Sequence, residues 1–227
     1  MSTQTPARRP KRDRVQTMSK APARRPRRTQ TERSADTRSR LIQAAITCLY
    51  RTGYSATTIT TVAEEAGVSR GAMTHQFPAK TDLMLAVVQS VFEDDSNLYN
   101  AAVASMTPRQ WSQSFPRTMW NIISRPSGIA VMEIMLASRS DPGLAKKLRA
   151  LQTDIDKRAH KWSAERVRAA DLPLHPDADA IHELYVAAVR GLALRAIFMN
   201  NDAGVEKSLE VLSQATRLLY RDLKRRD

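Results

Sequence analysis

From Asp36 onward, apolar side chains fall at helical spacing. Leu41, Ala45, Cys48 and Leu49 recur at i, i+4, i+7 and i+8 before Gly53, which predicts a first helix of about four turns that Gly53 stops. Next, Thr57 and Thr58 are positioned to cap a short helix carrying Ile59, Val62, Ala63 and Ala66 on one side, and Gly67 breaks it. After Val68, Ser69 can cap a second short helix reaching about Gln76. Two short helices joined by a glycine turn define a helix-turn-helix. Ala63 is small where the helices cross, Gly67 permits the turn, and Val68 is apolar enough to fill the space between them. Arg70, Gly71, Thr74 and His75 are left facing outward. An exposed helix with short polar residues and one arginine suits a DNA major groove, where side chains read base edges by hydrogen bonding.

The pattern continues helical to the end. Leu83/Met84, Val87/Val88 and Val91/Phe92, then Leu98 and Ala102, predict one long helix from Lys80 to about Met106. Pro108 marks a boundary, and Pro116 is expected to kink or split the next helix. Ser127 to Ser138 is the most apolar stretch, long enough for a buried helix and too short for a bilayer. Asp141-Pro142 opens a helix to about Ala170 with Leu144, Leu148, Leu151, Ile155 and Trp162 on one stripe. Helices over about 177–200 and 205–225 close the chain. The expected class is all-α, with a three-helix DNA-binding domain at 34–80 and a helical domain at 81–227. Val205, Leu209, Leu212, Thr216 and Leu219 form a stripe, and Ala187, Ala188 and Gly191 are small enough for close helix approach, with Leu192 beside them. Both features point to a homodimer interface.

Charge sharpens this picture. The net charge is +13, but residues 1–33 hold eleven basic residues against two acids, leaving +4 on the rest. Proline interleaved with arginine in this segment, with few large apolar residues, predicts a disordered basic arm. Such an arm adds phosphate contacts by counterion release, selected or not. The same arm keeps open a second reading, a non-specific architectural DNA protein. Cys48 is the one cysteine and reads as a small core residue, and neither disulfide nor zinc spacing is present. No apolar run reaches membrane length and no secretory leader pattern opens the chain, so a cytoplasmic protein is expected.

Enzyme chemistry finds no support, since no Gly-x-Ser-x-Gly, phosphate-cradling glycine loop or His-Glu-x-x-His is present. His175, Asp177, Asp179 and His182 straddle a loop and a helix start, where aspartate serves as a cap; neither metal nor cofactor is expected.

The stretch Thr37 to Leu83, with Gly53-Tyr54, Thr57-Thr58, Val62-Ala63, Ala66-Gly67-Val68-Ser69, Gly71, Phe77-Pro78 and Lys80, resembles the DNA-binding domain of the TetR family of transcriptional regulators. The resemblance implies a dimer on double-stranded operator DNA and a C-terminal domain that takes a small-molecule effector. It implies DNA contacts at Thr57, Thr58, Thr60, Ser69, Arg70, Gly71, Thr74, His75 and Lys80, with Lys80 and the threonines on phosphate. The chain departs from the family at Thr74, commonly Tyr, at Gln76, frequently His, and at Ala79, usually a capping Ser. Trp111, Met119, Trp120, Met132 and Met135 fall in the segments that form the effector pocket in similar proteins, with ordinary core packing as the competing reading. Glu133, inside an apolar run, needs a partner; Arg139, Arg195 or a ligand group are the candidates.

Overall fold

A computed structural model describes residues 29–169, 174–199 and 203–223, which form nine α-helices and no strand. Helix α1 spans Gln30–Ala56, α2 Ile59–Ala66, α3 Arg70–Gln76, α4 Lys80–Val103, α5 Pro108–Ile123, α6 Pro126–Ala137, α7 Pro142–Ala169, α8 Ala178–Met199 and α9 Ala203–Leu223. The six helices after the reading head match the expected number, and the basic arm up to residue 28 lies outside the described residues.

Helix α1 starts earlier than the apolar pattern suggested. Thr29 accepts a hydrogen bond from the Glu32 backbone N–H, while the Glu32 carboxylate accepts one from the Thr29 N–H. This reciprocal capping box draws residues 30–33 out of the arm and into the helix. Gly53 ends the regular part of α1, as the spacing predicted. It takes φ 76° and ψ 176°, a glycine-favouring conformation, and the helix continues past this kink to Ala56. Pro116 sits inside α5 without splitting it into two helices, which was the second of the two outcomes expected there. At the α5–α6 junction a Cβ on Gly128 would lie 2.0 Å from the Ile123 carbonyl oxygen, so only glycine fits there.

One apolar cluster runs from the head into the body. Leu41, Leu49, Val62, Met73, Phe77 and Leu83 are all essentially buried, and the same cluster takes in Val87, Ile134, Leu144 and Ile155. A second cluster holds Tyr99, Val103, Trp111, Ile122 and Val167, and a third holds Ile129, Met132 and Ala193. The predicted α7 stripe is therefore internal, with Leu144 and Leu148 fully packed.

Candidate nucleic-acid interface and body cavity

The reading head is held by caps and by apolar anchors on α3. Thr58 caps α2, accepting from the Thr61 N–H at 3.1 Å, and Gly67 ends it in the left-handed region at φ 61°. Ser69 caps α3, accepting from the Ala72 N–H at 3.2 Å. Met73 and Phe77 plug the underside of α3, leaving Arg70, Gly71, Thr74 and His75 exposed on the opposite side as the spacing predicted. A Cβ at Gly71 would meet nothing closer than Ser69 Oγ at 4.0 Å, so the fold itself does not demand glycine there.

Two expected contacts are engaged within the protomer. Thr57 is buried, and its hydroxyl donates to the Gly53 carbonyl at 2.8 Å, closing the α1 kink; it does not face outward with Thr58 and Thr60. Lys80 donates to the Tyr54 carbonyl at 2.7 Å and lies 3.8 Å from the Tyr54 ring centroid. Burial lowers its ammonium pKa, opposed by Asp141, and one of its three N–H donors is committed to Tyr54, which leaves two for a phosphate. Ala79 leads α4 without a side-chain cap, as its departure from the family pattern foretold.

Two positioning residues escaped sequence reasoning, and a third, Glu133, was expected to have a different partner. Arg40 on α1 donates to the Ala66 and Gly67 carbonyls, closing the turn of the reading head from behind. Gln76 donates to Ser34 Oγ at 2.7 Å, tying the end of α3 to the start of α1. Glu133 does not pair with Arg139 or Arg195. Its Oε2 accepts from the Tyr54 N–H at 3.1 Å and lies 3.2 Å from where a Gly53 Cβ would stand, so α6 clamps the kink of α1.

Behind the head, α4, α5, α7 and α8 line a partly open cavity of about 370 Å³. Phe92, Tyr99, Phe115, Met119 and Trp162 supply much of its apolar wall. Of the five expected effector residues only Met119 lines it. Trp111 packs beside it in the second cluster and donates to Tyr99 Oη at 2.9 Å. Trp120 and Met132 belong to the third cluster, and Met135 packs against the main core. Their soft, apolar side chains read as pocket-like but fill the walls. The polar lining was missed altogether: Asp95, Asp156, Arg158, His182 and Arg190. Burial holds the Asp95 carboxyl up at about 6 even though it pairs with Arg125. His182 therefore faces this cavity, and no cluster of three metal-binding side chains occurs among the described residues.

The expected dimer face splits in two. Leu209 and Thr216 are buried within the protomer, Thr216 donating to Tyr185 Oη at 2.6 Å, so they are unavailable to a partner. Ala188, Gly191, Leu192 and Leu212 instead line a shallow surface groove between α8 and α9, and Leu219 is half-buried. Beside them Leu184, Leu194, Phe198, Val211 and Leu218 stand exposed, Phe198 by 86%.

A profile for "Bacterial regulatory proteins, tetR family" matches residues 41–87. The chain is 29% identical to the HTH-type transcriptional regulator CymR of Pseudomonas putida, over 87% of this chain and 97% of that protein. It is 38% identical over 71 residues to TtgR of Pseudomonas putida, another HTH-type transcriptional regulator, covering 31% of this chain and 34% of that protein. Among solved structures, the multidrug binding protein EbrR complexed with imidazole aligns with a TM-score of 0.55 at 25% identity, over 78% of this chain and 93% of that one. A TetR-family member from Streptomyces coelicolor gives a TM-score of 0.58 at 23% identity, over 79% and 97%.

Proposed function

We propose that the chain, whose residues 41–87 match the tetR family profile, is a helix-turn-helix DNA-binding transcriptional regulator that works as a homodimeric repressor, released from a palindromic operator by a small, largely apolar effector. The cavity in the body carries the effector reading, because its aromatic and aliphatic wall with a few polar groups is the usual constitution of a small-molecule site. EbrR, at 25% identity, is described as a multidrug binding protein, which supports the same use of the body.

The operator contacts proposed are Arg70, Gly71, Thr74 and His75 for the groove, with Thr58, Thr60 and Ser69 beside the phosphates. Glycine at 71 without any packing need for it supports close approach of α3 to DNA. The dimer is supported by the exposed apolar stripe Leu184, Ala187, Gly191, Leu194 and Phe198, which repeats at alternating three- and four-residue steps along α8. A Cβ at Gly191 would meet nothing within 4 Å in its own protomer, so glycine there serves an approach from outside. Twofold symmetry then calls for half-sites about 34 Å apart, one turn of DNA. Working on chromosomal DNA places the protein in the cytoplasm.

Selection of genomic fragments by the purified protein at physiological salt tests the reading. Recovery of a palindromic site, lost on Arg70→Ala, is expected. Equal retention of random DNA, abolished by removing residues 1–28, would overturn it in favour of a non-specific architectural protein.

A further inference from the structure

The polar groups of the cavity are unequally provided for. Asp95 is paired with Arg125. Asp156 accepts from Gln152 Nε2 at 2.7 Å. Arg158 bonds Asp154 at 3.0 Å and lies 4.8 Å from the Phe92 ring centroid. Two ionisable groups remain, both on α8. Arg190 makes no hydrogen bond or ion pair among the described residues, and His182 Nδ1 is fully buried without a hydrogen-bond partner.

A guanidinium carries five N–H donors in a planar fork, and those of Arg190 open onto the cavity with no hydrogen-bonding acceptor from the described residues. Burial pulls the Arg190 pKa down, with Asp156 and Asp95 opposing from a distance; their charges compensate its own without filling its donors. A buried polar atom without a partner, as His182 Nδ1 is, calls for one that is missing, and an unpaired guanidinium facing an apolar wall offers a site for an acceptor. Here both face one apolar cavity, separated along α8 by Val186, which also lines it. Two turns of helix, about 12 Å, lie between their backbones. Helical side chains lean towards the N-terminus, which directs Arg190 along the cavity towards His182.

We infer that the cavity takes an aromatic monocarboxylate, its carboxylate held bidentate by Arg190, its ring against Phe115 and Trp162, and a distal polar substituent within reach of His182. The planar fork of arginine matches a carboxylate in shape and charge, where a neutral amide offers one acceptor and an ammonium offers none. An aromatic body suits walls built of Phe92, Tyr99, Phe115 and Trp162. This assignment rests on the reading of the cavity as the effector site and adds the chemical class.

The test uses the full chain and three probes of one shape: 2-naphthoate, 2-naphthamide and 2-naphthylmethylammonium, each titrated by calorimetry and added to the protein on its selected operator. Naphthoate is expected to bind about tenfold or more tightly than the amide, the margin of a charge-assisted pair over a neutral one. Arg190→Gln should erase that margin while changing amide affinity less than about twofold, and Arg190→Lys, which keeps charge without the fork, should restore part of it. Unchanged melting of both variants in the absence of probe guards against misfolding. Amide or ammonium binding as tight as naphthoate, with operator release, would overturn the carboxylate assignment and leave the effector reading standing. No binding by any of the three would overturn both.

Discussion

Glu133→Ala removes the clamp between body and reading head. The carboxylate accepts from the Tyr54 N–H at 3.1 Å, the first amide after the Gly53 kink, where the chain has left the regular helical ladder. A hydrogen bond to a charged group is worth about 1.5–3 kcal/mol, and Glu133 is only half-buried, which places the expected loss towards the lower half of that range. For a chain of this size each kcal/mol moves the melting temperature by about 2–4 °C, so the alanine variant should melt roughly 3–8 °C lower. Glu133→Gln keeps an acceptor without the charge and should fall between the two. The clamp also predicts a coupling. Gly53→Ala strains a backbone at φ 76° and sets a Cβ 3.2 Å from Glu133 Oε2, so the residue costs about 1–3 kcal/mol from backbone strain plus a displaced carboxylate. With Glu133 already truncated only the backbone strain remains. The double variant should therefore lose less than the two singles together, as read by calorimetry in a double-mutant cycle. A Glu133→Ala variant melting within about 1 °C of the parent, or strict additivity, would refute the clamp.

The remaining predictions bear on the head, the dimer and the cavity. Thr58→Ala should cost about 1 kcal/mol through the lost α2 cap, whereas Thr57→Val should weaken folding through its lost bond to Gly53 with the salt dependence of operator binding unchanged, both measured by melting and gel shift. Phe198→Glu, placing a charge on a side chain that is 86% exposed in the protomer, should convert the dimer to monomer in sedimentation equilibrium; a persistent dimer would move the interface elsewhere. Asp95 is held at about 6 chiefly by burial, against the pull of Arg125 and Arg190 and with Asp94 adding to the rise. Its folded pKa lies above the unfolded value of about 4, so its contribution to stability is full below pH ~4 and is lost as pH rises through ~6. Asp95→Asn should flatten that part of the profile of melting temperature against pH, and a variant with the parent's slope would sink the assignment.

The reading head was legible because its determinants are local. Gly67, the caps Thr58 and Ser69, and the inward Met73 and Phe77 act within a few residues of themselves, and spacing alone separates them from Arg70, Thr74 and His75. The start of α1 was equally local, in the pair Thr29 and Glu32, but the arginine-rich composition around it masked the capping box. Stripes on α9 were legible as stripes only. Periodicity shows that Leu209 and Thr216 are on one face without saying whether that face meets the same chain or another, and here it meets Tyr185 of α8. The exposed series ending at Phe198 carried the other half of the information. The cavity was illegible for a different reason. Its lining comes from four helices, and the groups that distinguish it are polar residues that an apolar pattern discards, while soft residues such as Trp120 and Met132 pack elsewhere. The partner of Glu133 is a backbone amide, which no side-chain pattern announces.

The placement of the cavity on α4 gives the proposed release mechanism its scale. Phe92, Asp95, Ser96 and Tyr99 line the cavity from this helix, and Lys80 at its other end is fastened to Tyr54, the residue whose amide Glu133 holds. From Lys80 to Ser96 the helix measures about 24 Å at 1.5 Å per residue. A tilt of about 5° at the cavity then carries the Lys80 end about 2 Å. Hydrogen bonds to base edges weaken steeply beyond about 3.5 Å, so a shift of that size in each head is enough to break the register of two recognition helices on one face of the duplex. Asp82 and Lys147, 3.1 Å apart, couple the start of α4 to α7, whose Ile155 and Trp162 also line the cavity. In the proposed mechanism a ligand that pressed α4 and α7 apart would act on both attachments of the same lever, and the Glu133 hydrogen bond between α1 and α6 would be the fulcrum against which it moved.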